Sequence, residues 1–144
     1  MISFKSLTRQ TEIGANSYLL KIGDKRILID AGMHPKVEGK ESLPDFSSIL
    51  DHQLDAAILS HAHLDHSGSM PVIQRHYPDM PVMMTEATSA LAQALLHNSV
   101  NVMTSKRNEL GMDEYPFFTH KEIHKISKQW CARRPGRRFD LDDQ

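Results

Sequence analysis

Apolar and polar residues alternate from Ile2 to Leu7 and again across part of Ser17 to Ile22, the period of strands that show one face to water. Gly23-Asp24 separates Leu19-Leu20-Lys21-Ile22 from Lys25-Arg26-Ile27-Leu28-Ile29, which is a tight-hairpin signal. Three strands before any helix predict an antiparallel edge feeding a mixed sheet. Lys36 to Pro44 is polar and reads as a loop, and Asp45 is placed to cap a short helix through Leu50. Leu54 to Ser60, with Ala56-Ala57-Ile58-Leu59 at its centre, and Pro81-Val82-Met83-Met84-Thr85 read as buried strands. Between them Met70 to Tyr77 suits a helix with Pro71 in its first turn. The N–H groups at that helix start are expected to face the preceding loop, where they favour anions such as phosphate. Beyond Thr85, the residues Ala87, Ala90, Leu91, Ala94 and Leu95 repeat at helical spacing, predicting a helix capped by Thr85 or Thr88 with that stripe in the core. Gly111 to Pro116 is loop-like. Thr119-His120-Lys121-Glu122 has the spacing of a capping box and predicts a helix running through Trp130.

Composition narrows the class without naming a partner. The 144 residues are enough for one modest domain with a real core, and a net charge of −1 selects no ligand type. The single Cys131 excludes a disulfide framework within the chain and fits a reducing compartment. No apolar run approaches the ~20 residues that span a bilayer, and Met1-Ile2-Ser3-Phe4-Lys5-Ser6 has no charged leader before an apolar stretch. The expectation is a cytoplasmic, soluble α/β protein with no membrane partner.

The chemistry is concentrated in His61-Ala62-His63-Leu64-Asp65-His66, directly after a buried strand and before Ser67-Gly68. Open α/β sheets place their sites at the C-terminal strand edge. Imidazole and carboxylate ligate zinc-like ions at about 2.0–2.2 Å. In an extended segment His61, His63 and Asp65 point to one side, and His66 joins them if the chain turns at Ser67-Gly68. Two His on one side and an Asp-His pair at the turn suit two neighbouring metals, which at about 3.5–4 Å separation can hold a bridging hydroxide as nucleophile. A solvated His-rich loop is the bland alternative.

At these residues the chain resembles the metallo-β-lactamase superfamily of metal-dependent hydrolases. Gly14-Ala15-Asn16-Ser17-Tyr18-Leu19-Leu20, the run from Arg26 to Pro35, Leu54 to Ser60 and Ala87-Thr88-Ser89-Ala90-Leu91-Ala92 are similar to its β-CASP branch. That branch comprises RNA- and DNA-processing nucleases such as cleavage and polyadenylation factors. The resemblance spans about residues 14–102 and implies the N-terminal half of an αββα sandwich, a mixed sheet with flanking helices. It further implies a metal-dependent ribonuclease of the exonuclease or cleavage-factor type. His61, His63, Asp65 and His66 would be metal ligands, Asp65 and His66 catalytic, and two zinc ions the complement, with manganese as the alternative. RNA is the expected substrate and DNA the second choice.

Asp30 either caps the turn before Gly32 or, as the resemblance implies, supports the histidine loop through hydrogen bonds. His34 matches the family pattern without an assigned role. Asn98 stands where many β-CASP members carry an acid, and an amide can be neither a general base nor a charged support. His120 and His124 have helical metal-pair spacing but not the zinc-protease pattern, and read as surface histidines. Lys121, Lys125, Lys128, Arg133, Arg134, Arg137 and Arg138 face only Glu122 in charge between residues 119 and 139. Arg133, Arg134, Arg137 and Arg138 either contact a nucleic-acid backbone, with Trp130 or Phe139 stacking on bases, or form a solvated tail.

The resemblance also shows what the motif lacks. A third His, a metal-bridging Asp and a further His come from later in such proteins, and residues 103–144 hold no second cluster. Two ligands per metal leave the shell to water and weaken binding, and a half-sandwich leaves a sheet face and an edge uncovered. The expected organisation is a partial metallo-β-lactamase domain over 1–110 and a helix with a basic tail over 111–144, ending before a β-CASP domain. Such a chain is a fragment, a truncated product or half of a split protein, its site completed by a partner chain or a second copy. Two other functions remain open: a non-catalytic interaction or nucleic-acid-binding module, and a thioester, lactam or sulfur-ester hydrolase of the same superfamily.

Overall fold

A computed structural model describes residues 1–9 and 13–141. Six strands form one sheet in the order β1 (Ile2–Ser6), β2 (Tyr18–Ile22), β3 (Lys25–Ile29), β4 (Ala56–Ile58), β5 (Val82–Thr85) and β6 (Trp130–Arg133). The first three are antiparallel, and from β3 onward each strand pairs in parallel with the next. The expected antiparallel edge on a mixed sheet is therefore present. The β2–β3 hairpin closes on Gly23-Asp24 with Gly23 at φ 58°, the left-handed value that glycine adopts without steric cost at the first central turn position.

Among the described residues four α-helices accompany the sheet: α1 (Leu64–Ser67), α2 (Met70–His76), α3 (Glu86–Leu110) and α4 (His120–Ser127). The strand residues on one face, Leu28, Ala57, Val82, Met84 and Trp130, form a single core with Ile73, Leu96, Val100 and Ile123 of the helices. The opposite face is only partly covered: Ile27, Ala56 and Met83 are buried on it. Ile2, Phe4, Ile22 and Ile58 are exposed there, in register with Leu20 and Ile29. The bare sheet face expected of a half-sandwich is thus found only in part, at the β1–β2 end and at Ile58.

Four local expectations are corrected. The stripe Ala87, Ala90, Leu91, Ala94 and Leu95 is not the core side of α3: the first four are exposed and Leu95 is half-buried. The buried row is Thr88, Ala92, Leu96, Ser99, Val100 and Met103. Small apolar residues occupy both sides of this helix, so docking on β5 and β6, not periodicity, selects the buried one. Asp45 does cap, accepting from Ser47 N–H at 3.1 Å, but onto isolated turns in which Ile49 N–H donates to Phe46 at 2.9 Å. A 3-10 segment forms instead at Gly39–Ser42, inside the expected loop. The helix opened by the Thr119–Glu122 capping box ends at Ser127, and Trp130 begins β6. Its indole is buried and donates to Gln74 Oε1 at 2.9 Å, so Trp130 is unavailable for base stacking. Finally, Ser69, Met70 and Pro71 at the start of α2 are buried, and Ser69 N–H is spent on the Ala31 carbonyl at 2.8 Å. That helix start is closed to an anion.

Candidate metal centre

The His-rich loop leaves the C-terminal end of β4, beside the end of β3, in the middle of the parallel pairing. Its turn comes earlier than expected. His63 is the residue before α1, with φ −56° and ψ 143°, and Leu64 to Ser67 are already helical. The loop thus doubles back between His63 and Asp65, which gathers the ligands. One donor atom each from His61, His63 and Asp65 lies within 4.8 Å of the other two. The His61 and His63 rings meet edge to face at 4.9 Å, and the His66 ring lies 4.0 Å from that of His61. His66 Nε2 is 3.6 Å from Asp65 Oδ2. The four residues predicted from sequence are therefore neighbours in space.

Asp30 is the first residue past β3 and takes φ 60°, a left-handed conformation that Asp tolerates better than most. Its carboxylate is buried and accepts from Ser60 N–H at 2.7 Å, Ser60 Oγ at 2.7 Å and His66 Nδ1 at 2.8 Å. A carboxylate only accepts, so His66 carries its proton on Nδ1 and leaves Nε2 with a lone pair. The amide of Asn16 reaches that lone pair at 3.2 Å and the Asp65 carbonyl at 3.1 Å.

The backbone fixes the same arrangement. Ala31 N–H donates to His66 at 2.8 Å, Met33 N–H to Leu64 at 2.8 Å and Asn16 N–H to Asp65 at 2.9 Å. Gly32 allows this contact: a Cβ there would stand 1.8 Å from the Asp65 carbonyl oxygen. Ser60, Asn16 and Gly32 carry no recognisable metal chemistry, and sequence reasoning assigned them no part in the site. The one available signal was their position at strand ends flanking the loop.

A cavity of about 460 Å³ adjoins the loop, with His63 and Asp65 on one side and Leu95, Asn98, Ser99 and Val102 of α3 opposite. Asn98 therefore shares a cavity with two of the predicted ligands. Farther along it, Tyr115 donates to Glu38 Oε2 at 2.8 Å and Lys106 pairs with the same carboxylate. The Lys106 hydrogen bond holds Glu38 below the usual carboxylate range, while burial raises the Tyr115 phenol. His34 is buried beneath Gly14, whose added Cβ would lie 2.3 Å from the imidazole, so it packs the loop that presents Asn16.

The four tail arginines divide. Arg134, Arg137 and Arg138 are exposed, whereas Arg133 is half-buried on β6 with its guanidinium 5.1 Å from the Phe139 ring centroid. Among the described residues no helix is long and apolar enough to cross a membrane.

The donor set suits a divalent metal: two neutral-capable imidazoles and a carboxylate converge, and a third imidazole is oriented beside them. Comparison with known proteins agrees. The sequence profile of the metallo-beta-lactamase superfamily matches residues 11–121. Integrator complex subunit 11 of Danio rerio is 32% identical over 139 residues, covering 92% of this chain and 22% of that protein. Endoribonuclease YSH1 of Saccharomyces cerevisiae is 32% identical over 123 residues, covering 83% and 16%. The chain thus spans about a fifth of the length of these relatives. In fold, an archaeal metallo-beta-lactamase superfamily protein from Sulfolobus tokodaii superposes with TM-score 0.56 at 20% identity, over 99% of this chain and 53% of that one. AidC, a dizinc quorum-quenching lactonase, gives 0.51 at 19%, over 87% and 45%. With the profile match over most of its length and β-CASP proteins as its relatives, the chain belongs to the metallo-β-lactamase superfamily and carries the metal loop of its β-CASP branch.

Proposed function

We propose that this chain forms the metal-loop half of a metal-dependent RNA phosphodiesterase. The observation that carries the reading is the convergence of His61, His63 and Asp65 within 4.8 Å, with His66 held by Asp30 alongside. In this reading His61, His63, Asp65 and His66 hold zinc, two ions when the remaining ligands are supplied by further polypeptide, a second copy or a partner chain. Bound there, the metal supplies Lewis acidity and an activated water for attack at phosphorus.

The chain's own residues do the positioning. Asp30 keeps the His66 proton on Nδ1, so that the Nε2 lone pair, which accepts from Asn16 here, is the one available to ligate once that amide gives way. Asn16 holds the Asp65 carbonyl and thereby the entry to α1. Arg134, Arg137 and Arg138, exposed in the segment that follows β6, meet the RNA backbone as counter-charges. A relative named an endoribonuclease supports RNA over DNA as the substrate, and the single cysteine supports a reducing, cytoplasmic setting.

The test is cleavage of a labelled single-stranded RNA by the purified chain with zinc, at a known oligomeric state. Activity is expected to vanish with chelator and in His63→Ala. Cleavage unchanged in that variant would overturn the proposal. Replacing Arg134, Arg137 and Arg138 together by Gln is expected to weaken RNA binding and flatten its salt dependence. Identical salt slopes would remove the tail from the interface.

A further inference from the structure

A second group of histidines lies away from the metal loop, where α3 meets α4. His97 Nδ1 and His120 Nδ1 are 2.8 Å apart. The ring centroids are 5.0 Å apart and the planes are within 17°. That centroid distance is close to the N···N distance plus two ring radii, so the rings lie edge to edge with their Nδ1 atoms facing. Asn101, one turn after His97, fixes the proton arrangement. Its Oδ1 lies 3.1 Å from His120 Nε2, and an amide oxygen only accepts. His120 therefore carries its proton on Nε2 and offers a lone pair at Nδ1. The hydrogen between the two rings belongs to His97 Nδ1.

We propose that His97 and His120 form a site for a borderline divalent transition ion, zinc being the simplest case, in which the ion takes the place of the shared proton, which passes through solvent to His97 Nε2, and bridges α3 to α4. Imidazole is a ligand of choice for such ions. A carbonyl-oriented imidazole such as His120 is typical of metal-binding histidines, whose second nitrogen is engaged by an outer partner. Bonds of about 2.0–2.1 Å in tetrahedral geometry need the two nitrogens roughly 3.3 Å apart. The rings must therefore open slightly and swing out of line, which His120 on the solvent side of α4 permits. His124 follows His120 by one turn and lies on the same face of α4. Burial, His120 and His124, in that order, lower the proton affinity of the His97 imidazole, but among the described residues His124 does not join the pair as a third converging ligand. Water fills the remaining positions.

The test separates this site from the metal loop. Zinc is titrated calorimetrically into the chain carrying His61→Ala and His63→Ala, which disables the loop. One equivalent is expected to bind, at least tenfold more weakly after a further His120→Ala or His97→Ala, with little change in His124→Ala. Asn101→Ala is expected to weaken binding at least several-fold through the tautomer of His120. Absence of zinc binding in the loop-disabled chain, or equal affinity with His120→Ala, would overturn the proposal. Should the combined variants fail to fold by circular dichroism, the parent chain decides. On zinc addition the His97 and His120 ring resonances must shift in the NMR spectrum, and unmoved resonances at saturating zinc reject the site.

Discussion

Asp30→Asn isolates a single feature of the metal centre, the identity of the proton on His66. Asn keeps the size of the side chain and its tolerance of φ 60°. With the amide oxygen still accepting from Ser60 N–H, the amide NH2 occupies the place where Oδ2 now accepts from Ser60 Oγ at 2.7 Å and from His66 Nδ1 at 2.8 Å. The serine hydroxyl can rotate and accept. The imidazole cannot adapt that way and must move its proton to Nε2, the atom that faces Asp65 at 3.6 Å. The lone pair needed for ligation is then lost. Outer-partner substitutions at metal-bound histidines typically cost about 10- to 100-fold in affinity, or roughly 1.4–2.8 kcal/mol.

Asp30→Ala has a different signature. It removes the acceptor of charge-assisted hydrogen bonds worth about 1.5–3 kcal/mol each and adds about 1 kcal/mol for a left-handed alanine. Water reaches Ser60, so the net loss of stability is expected at roughly 3 kcal/mol. Zinc affinity measured against a chromophoric chelator, with urea unfolding of the metal-free protein, separates the two effects. Asn is expected to lose metal with stability largely kept, and Ala to lose both. Zinc affinity of Asp30→Asn within twofold of the parent would refute control of the His66 tautomer by Asp30.

Gly32→Ala places a Cβ 1.8 Å from the Asp65 carbonyl oxygen, and backbone cannot yield as a flexible side chain can. Urea unfolding is expected to show a loss of about 3 kcal/mol or more, with weakened zinc binding. Trp130→Phe strips the donor from the buried Gln74 Oε1 and is expected to cost about 1–3 kcal/mol. Adding Gln74→Leu should make the double variant less destabilised than the sum of the singles, and strict additivity would contradict a coupled pair. Glu122 gives a pH signature. Burial pushes its pKa up, but hydrogen bonds from Arg75 and Thr119 outweigh this and leave it below the ordinary value of 4.5. A depressed carboxylate contributes stability that is present above its unfolded pKa and lost as pH falls through the folded one. Stability should therefore fall below about pH 4.5 more steeply in the parent than in Glu122→Gln; parallel acid profiles would refute that account.

Features with local causes were legible in the chain. The Gly23-Asp24 hairpin, the capping box at Thr119 and Glu122, and the metal loop each depend on residues close in sequence, and each is present in the structure. The His61–His66 motif placed its ligands because the strand before it and the turn within it leave few other paths. What the sequence could not determine was which of several locally acceptable arrangements packing would select. Helix α3 is apolar enough on two sides that only docking against β5 and β6 decided that Leu96 faces the core and Leu91 faces water. Trp130 has no local signal separating a helix end from a strand start, and parallel pairing with Val82 settled it. Asn16 and Ser60 joined the site through contacts spanning 49 and 30 residues, and His97 met His120 across 23. Short-range chemistry is written in the order of the residues, whereas these long-range partners are brought together only when burial of the shared core brings their elements into contact.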